Sequence, residues 1–205
     1  MGWFTTIIVI VILLIVLFLL NFYRDPERKI PKGKNIVAPA DGKIISIINT
    51  SKDNNDNIKA KKGLHRKVDT FTKDIAKQCH VISIFMSPID VHINRSPIEG
   101  TVKSIKYNRG KFFEAFNLEK SLENEKNEIV IQNNNLKVKV IQIAGFFARR
   151  IKCYVHKNQK VNKGQKIGMI SLGSQTTLVI PKGVALKVAI DDKVKAGETI
   201  IANLS

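Results

Sequence analysis

Acidic residues are scarce in this 205-residue chain: 17 Asp and Glu stand against 34 Lys and Arg, a formal charge of +17. So large an excess implies an anionic partner, whether a membrane surface, a nucleic acid or an acidic small molecule. Aromatic residues make up only 7% of the chain and are not interleaved with the basic ones. That removes the stacking platform a nucleic-acid binder needs, and no nucleic-acid partner is expected. Cysteine is nearly absent, with Cys79 and Cys153 far apart and no C-x-x-C pair. A disulfide framework is excluded, and the four histidines lack the spacing of a metal site. Helical periodicity is also scarce, which argues against a helical bundle.

Polar side chains are missing altogether from Ile7 to Leu20. With its neighbours this run reaches about twenty residues, enough to cross the roughly 30 Å hydrocarbon core. No Lys or Arg precedes it and no A-x-A follows, so an uncleaved anchor is favoured over a signal peptide. Arg24, Arg28, Lys29, Lys32 and Lys34 all follow the span. The positive-inside tendency then predicts a cell-membrane protein with the bulk of the chain on the cytoplasmic side. The expected organisation is an anchor over residues 1–22 and one domain over 23–205.

From Ile36 onward the pattern is of short Ile- and Val-rich segments broken by Gly, Pro, Asn and Asp. Strands are expected in "GKIISIIN", "CHVISIFM", "GTVKSIKYN", "NEIVIQ", "LKVKVIQIAG", "RIKCYV", "QKIGMISL", "QTTLVIP", "ALKVAI" and "ETIIANL". "DTFTKDIAKQ" and "GKFFEAFNLEKSL" suit short helices or lids, and Thr50 to Gly63 reads as a polar excursion. Two short echoes recur. "VNKGQKI" and "VKAGETI" share V-x-x-G-x-x-I, while "PADGKI" and "PIEGTV" share P-x-x-G followed by an apolar strand. Repeated Gly turns feeding strands predict two similar β-layers folded over each other. The fold expected is mainly β (α+β with few short helices), a barrel-sandwich-hybrid-like double layer preceded by one transmembrane helix.

Four stretches stand out from this β background: "VAPADGKI", "FMSPIDVHINRSPIEGTV", "QIAGFFARRI" and "SLGSQTTL". In order and content, with "FYRDPER", "GKFFEAF" and the terminal "VKAGETIIA", they resemble the short class of phosphatidylserine decarboxylases. The resemblance implies a zymogen that cuts itself between Gly173 and Ser174, giving pieces 1–173 and 174–205. It further implies a pyruvoyl group made from Ser174, with no metal and no pyridoxal phosphate. The reaction implied is decarboxylation of an anionic serine phospholipid to its ethanolamine counterpart through a Schiff base. The 32-residue C-terminal piece should stay bound to the rest of the chain. A homodimer is left open, as is the choice between diacyl and ether lipid backbones. The competing reading is a membrane-anchored barrel-sandwich adaptor without catalysis.

The chemistry assigns roles. Ser174 Oγ must attack the Gly173 carbonyl carbon to turn an amide into an ester, which needs a base and donors for the oxyanion. Backbone amides or the Thr176 and Thr177 hydroxyls are candidate donors. β-Elimination of the ester leaves dehydroalanine, and loss of ammonia gives the ketone. Decarboxylation leaves an unstable carbanion at Cα, and the ketone is the electron sink that pyridoxal phosphate supplies elsewhere. His92 in "SPIDVHINR" is the candidate base, with Asp41 of "PADG" as its orienting carboxylate. In the larger class a second histidine follows three residues later; here that position is Arg95. Arg95, Arg149 and Arg150 suit a lipid phosphate or carboxylate, and Phe112 and Phe113 suit a headgroup layer. Read without the resemblance, His92 is a structural histidine, Asp41 a turn former and the arginines a solvated face.

Overall fold

A continuous run of apolar side chains satisfies its own backbone best as a helix, and α1 spans Gly2–Phe22. Its 21 residues rise about 1.5 Å each, close to the hydrocarbon thickness. Thr5 and Thr6 fold their hydroxyls back onto the Gly2 carbonyl. The helix stops where Arg24 turns its guanidinium onto the Asn21 carbonyl and side chain, both at 2.6 Å. Pro26 then bars further helix. The computed structural model describes residues 2–50, 71–111, 113, 123–134, 136–145, 150–171 and 174–204.

Among the described residues, fourteen strands follow α1. They are β1 Asn35–Val37, β2 Gly42–Thr50, β3 Cys79–Met86, β4 Ile93–Arg95 and β5 Gly100–Asn108. Next come β6 Lys126–Gln132, β7 Lys137–Ile143, β8 Ile151–Cys153, β9 Lys160–Val161 and β10 Lys166–Ile170. The chain ends with β11 Ser174–Pro181, β12 Ala185–Leu186, β13 Lys193–Val194 and β14 Ile200–Asn203. All ten expected strand segments contain a strand. The four not foreseen, β1, β4, β9 and β13, have two or three residues each, too short for a periodic signal. Of "DTFTKDIAKQ", the described part turns helical at Phe71 and Thr72 alone. Most of "GKFFEAFNLEKSL" and of the Thr50–Gly63 stretch lies outside the described residues.

An eight-stranded antiparallel sheet, ordered β13-β2-β3-β11-β7-β6-β5-β9, carries the structure. Two three-stranded sheets, β1-β14-β12 and β4-β10-β8, complete it. Ile36, Ile44, Ile84, Val102, Ile131, Val140, Ile167, Leu178 and Ile201 come from all three sheets into one buried cluster. The expected double-layer β fold behind one apolar helix is therefore present.

The echoes have a structural meaning. Val194 pairs with Gly42 as Val161 pairs with Gly100. Ile44 N donates to Asp192 O at 2.9 Å, and Val102 N to Gln159 O at 2.9 Å. Gly197 N donates to Ala38 O at 2.8 Å, and Gly164 N to Ser96 O at 2.8 Å. Gly164 and Gly197 each have φ +78°, a conformation that favours glycine. β2 and β5 even share a register shift, after Ile44 and after Val102. The domain is thus two similar halves, and Ile30 of the post-anchor segment packs against both glycines.

Candidate active site

Ser174 is the first residue of β11, at the centre of the large sheet between β3 and β7. It is fully buried and lies opposite Met86 in the ladder. Its hydroxyl donates to Met86 Sδ at 3.6 Å. A thioether accepts weakly and takes no proton, so this contact parks the serine without activating it. Gly173 lies outside the described residues.

Strand alternation puts Ser174 and Thr176 on one face and Gln175 and Thr177 on the other. Thr176 Oγ1 donates to the same Met86 sulfur at 3.4 Å. Thr177 instead meets Ser83 Oγ at 3.2 Å and Gln175 Nε2 at 2.9 Å. Of the two threonines, Thr176 alone shares the serine's face.

A buried amide chain reaches this face. Asn94 Nδ2 donates to Thr176 Oγ1 at 3.0 Å, Gln142 Nε2 to Asn94 Oδ1 at 2.8 Å, and Asn127 Nδ2 to Gln142 Oε1 at 2.9 Å. Asn94, Gln142 and Asn127 are all essentially inaccessible. Sequence reasoning missed them. Gln142 inside the apolar "VKVIQIAG" was the available signal, since a polar residue in a buried strand must find a partner.

His92 lies two residues before Asn94, as Ser174 lies two before Thr176. The Asn94–Thr176 hydrogen bond therefore draws the two segments together. His92 is fully buried. Its Nδ1 lies 2.8 Å from the Asp90 carbonyl, which can only accept, so Nδ1 carries the proton. Nε2 consequently holds the lone pair, and it is buried without a hydrogen bond to any of the described residues. Burial lowers the His92 pKa from its ordinary value, outweighing the Asp90 carbonyl and carboxylate that raise it; Arg24 lowers it further. The result is a neutral imidazole with an unengaged basic nitrogen. Asp90 holds the loop by accepting from Ser87 N at 2.8 Å and Ser87 Oγ at 2.7 Å.

Asp41 does not stand behind His92. Its carboxylate takes Arg28 Nη2 on both oxygens, at 3.0 and 2.9 Å, and the Ala196 amide at 2.8 Å. The Arg28 and Asp41 side chains are 5% and 12% exposed, so this is a buried ion pair in which one nitrogen bridges both carboxylate oxygens. A backbone carbonyl thus does the orienting that was expected of Asp41. Arg95 is buried and engaged with the Gly164 carbonyl at 3.0 Å and Asp25 at 2.7 Å. Arg150 is exposed at the β8 start, with its carbonyl accepting from Ser171 N. Phe113 is tied at both backbone groups to Asn124 and lies under Lys111, 5.4 Å from the ring centroid. Phe112 and Arg149 lie outside the described residues.

The phosphatidylserine decarboxylase model matches residues 15–202, most of the chain. The chain belongs to the phosphatidylserine decarboxylase family. It is 41% identical over 203 residues to a putative archaetidylserine decarboxylase proenzyme of Methanocaldococcus jannaschii, covering 98% of this chain and 97% of that one. It is 43% identical over 187 residues to a phosphatidylserine decarboxylase proenzyme of Chlorobium phaeobacteroides, covering 90% and 78%. A similar relative in Chlorobaculum tepidum, a phosphatidylserine decarboxylase proenzyme, is 41% identical over 186 residues, covering 90% and 77%. This family member is accordingly a carboxy-lyase made as a proenzyme.

Proposed function

We propose that this chain decarboxylates serine phospholipids after cutting itself between Gly173 and Ser174. One observation carries the reading: Ser174 begins a central, doubly paired strand, and the neighbouring segment presents a buried imidazole with its basic nitrogen unengaged. For maturation Ser174 Oγ leaves the Met86 sulfur and attacks the Gly173 carbonyl carbon. His92 Nε2 takes the hydroxyl proton. Asn94 fixes Thr176, whose hydroxyl lies on the face where the oxyanion forms. Collapse of the adduct breaks the Gly173–Ser174 C–N bond, the freed amine takes the proton and an ester remains. Loss of the residue 174 Cα proton then breaks Cβ–Oγ and releases the Gly173 carboxylate, and water displaces ammonia from the resulting imine. Asp41 acts as a positioning residue, tying Arg28 of the segment after α1 to the Ala196 amide.

A pyruvoyl group suits this position, because residue 174 is anchored by ladder bonds after the cut and its surroundings are Met86, Thr176 and Asn94, all uncharged. Such a group supplies a ketone that condenses with an amine and accepts the electrons left by departing CO₂. The chain's own part is to keep that position dry and to return a proton to Cα, for which His92 is suited. The 174–205 piece stays bound because β11 is flanked by β3 and β7 and β14 pairs with β1, all from the larger piece.

The relatives' names give archaetidylserine and phosphatidylserine, lipids that share the serine headgroup. We assign the headgroup as what this site reads. α1 acts as a transmembrane anchor, with the basic residues after it, and the catalytic domain, at the cytoplasmic face. Arg150 and Phe113, with Arg149 and Phe112, are proposed to serve the lipid phosphate and interfacial layer, while Arg95, expected there too, is instead held by Asp25 and the Gly164 carbonyl.

Intact-mass measurement of the purified protein tests this. The expected result is a 32-residue C-terminal fragment lighter by one ammonia than hydrolysis gives, with ethanolamine lipid formed from serine lipid in vesicles. Ser174→Ala should give one uncut, inactive chain. An unbroken wild-type chain would support the adaptor reading instead.

A further inference from the structure

α1 is exposed along its whole length until its last residue. From Gly2 to Asn21 every side chain faces outward; Phe22 alone is 2% exposed. Phe22 packs with Val91, Ile93 and Met169 in a small apolar cluster. Its ring lies 4.3 Å, centroid to centroid, from the His92 imidazole and is tilted 40° to it. The residues after it bracket the same segment. Arg24 Nη2 donates to the Ile89 carbonyl at 2.6 Å, three residues before His92. Asp25 accepts from Arg95 at 2.7 Å, three residues after it. The strap from Phe22 to Asp25 therefore clamps the segment upstream of His92, at His92 and downstream of it.

We propose that Phe22, the last residue of the apolar helix, is a positioning residue for His92, so that the end of the anchor forms one wall of the active site. This rests on the reading of His92 as the base. The anchor is then more than a tether. Its end lies at the edge of the hydrocarbon, where an apolar ring can leave lipid for a protein core at little cost. The imidazole is held in the layer where lipid headgroups lie. The ring excludes water from one face of His92 and fixes its plane, while the Asp90 carbonyl fixes its tautomer. A removable leader would take this wall with it.

The charged groups facing His92 are Asp90 on its own loop and Arg24 on the strap. Removing the ring should rehydrate the imidazole and loosen it. In full-length protein in vesicles, Phe22→Ala should slow both self-cleavage and turnover by about tenfold or more, the usual order for a misplaced catalytic group. The acid limb of the pH–rate profile should move up, towards the ordinary histidine value of about 6.5. Histidine NMR on uncut Ser174→Ala proenzyme in micelles should show the same rise on adding Phe22→Ala. Phe22→Leu should restore most of the rate. If Phe22→Ala does not fold, Arg24→Ala leaves the apolar packing intact and should move rate and pKa in the same sense as loosening the loop, by less. Wild-type rate and His92 pKa in folded Phe22→Ala, or in Arg24→Ala where it stands in, would overturn the inference. His92→Gln separates the two readings. Normal cutting and turnover in His92→Gln would remove the base and this inference with it. An inactive His92→Gln beside a silent Phe22→Ala would remove the inference alone.

Discussion

The two similar halves of the domain share a backbone pattern and differ at most of their side chains. Aligned on P-A-D-G and P-I-E-G, Asp41 corresponds to Glu99, Ile36 to Asn94, and Val37 to Arg95. Asp41 is buried against Arg28; Glu99 is exposed on an open hollow of about 590 Å³ lined also by Lys103, Gln132 and Lys160. Ile36 is a core aliphatic, whereas Asn94 starts the amide chain that ends at Asn127. On the reading proposed above, the first half supplies the buried Asp41–Arg28 pair, the second supplies His92 and Asn94, and Ser174 opens β11 between β3 and β7. A scaffold used twice can carry chemistry once, because a turn's geometry depends on its glycine while its chemistry depends on the residue beside it.

The largest test of that difference is removal of each half's carboxylate. Asp41→Ala leaves the buried Arg28 guanidinium with the Glu198 carboxylate, 3.9 Å away, as its ion-pair partner, and should cost about 3 kcal/mol in denaturant unfolding, the lower end for a broken buried pair. Glu99→Ala, at the equivalent exposed position, should stay within about 0.5 kcal/mol. Equal losses would mean that the buried pair adds nothing to the turn. Next, Asn94→Ile makes the second half resemble the first. It orphans the Gln142 amide, with an expected cost of about 1–3 kcal/mol and slower appearance of the cut fragment. Normal cutting in that variant would remove the amide chain from the site.

Smaller effects come from the matched glycines. Gly164→Ala and Gly197→Ala force a side chain into the left-handed region, at about 1–2 kcal/mol each by thermal unfolding. Gly164→Ala should be the worse, because its Cβ would run into the Ile30 side chain; at Gly197 the nearest atom, Ile30 Cδ1, is 3.0 Å away. The smallest difference is one of pH. Burial lowers the pKa of both His92 and His80, so the folded state binds protons less readily than the unfolded chain. Their full stabilising contribution is present above the unfolded value of about 6.5, and stability should fall as pH drops below it. His92→Gln should flatten that fall in an unfolding series.

Much of the fold was legible because strands of five residues or more advertise themselves. β2, β3, β5, β6, β7 and β11 alternate or run apolar between Gly, Pro and Asn breaks, and each fell where the pattern put it. β9 and β13 have two residues each and exist because the echoed glycine turns lay them against β5 and β2. In the site, Ser174 and His92 were visible as motifs. The partner of Asp41 was not, since Arg28 lies beyond the anchor and nothing local links the two. Asn94 and Gln142, far apart in the chain, acquire meaning when β4, β7 and β11 converge.

By itself, then, the order of residues determined an apolar helix, a β domain with a repeated Gly turn, and the motifs that place the chain in its family. These are local properties: hydropathy, alternation and the conformational freedom of glycine act within a few residues. Folding decided which nitrogen of His92 is basic, which cation Asp41 neutralises, and that the last ring of α1 rests on the imidazole. Each of those depends on burial and on partners brought from distant segments, and a side chain's protonation and orientation follow from what surrounds it in space.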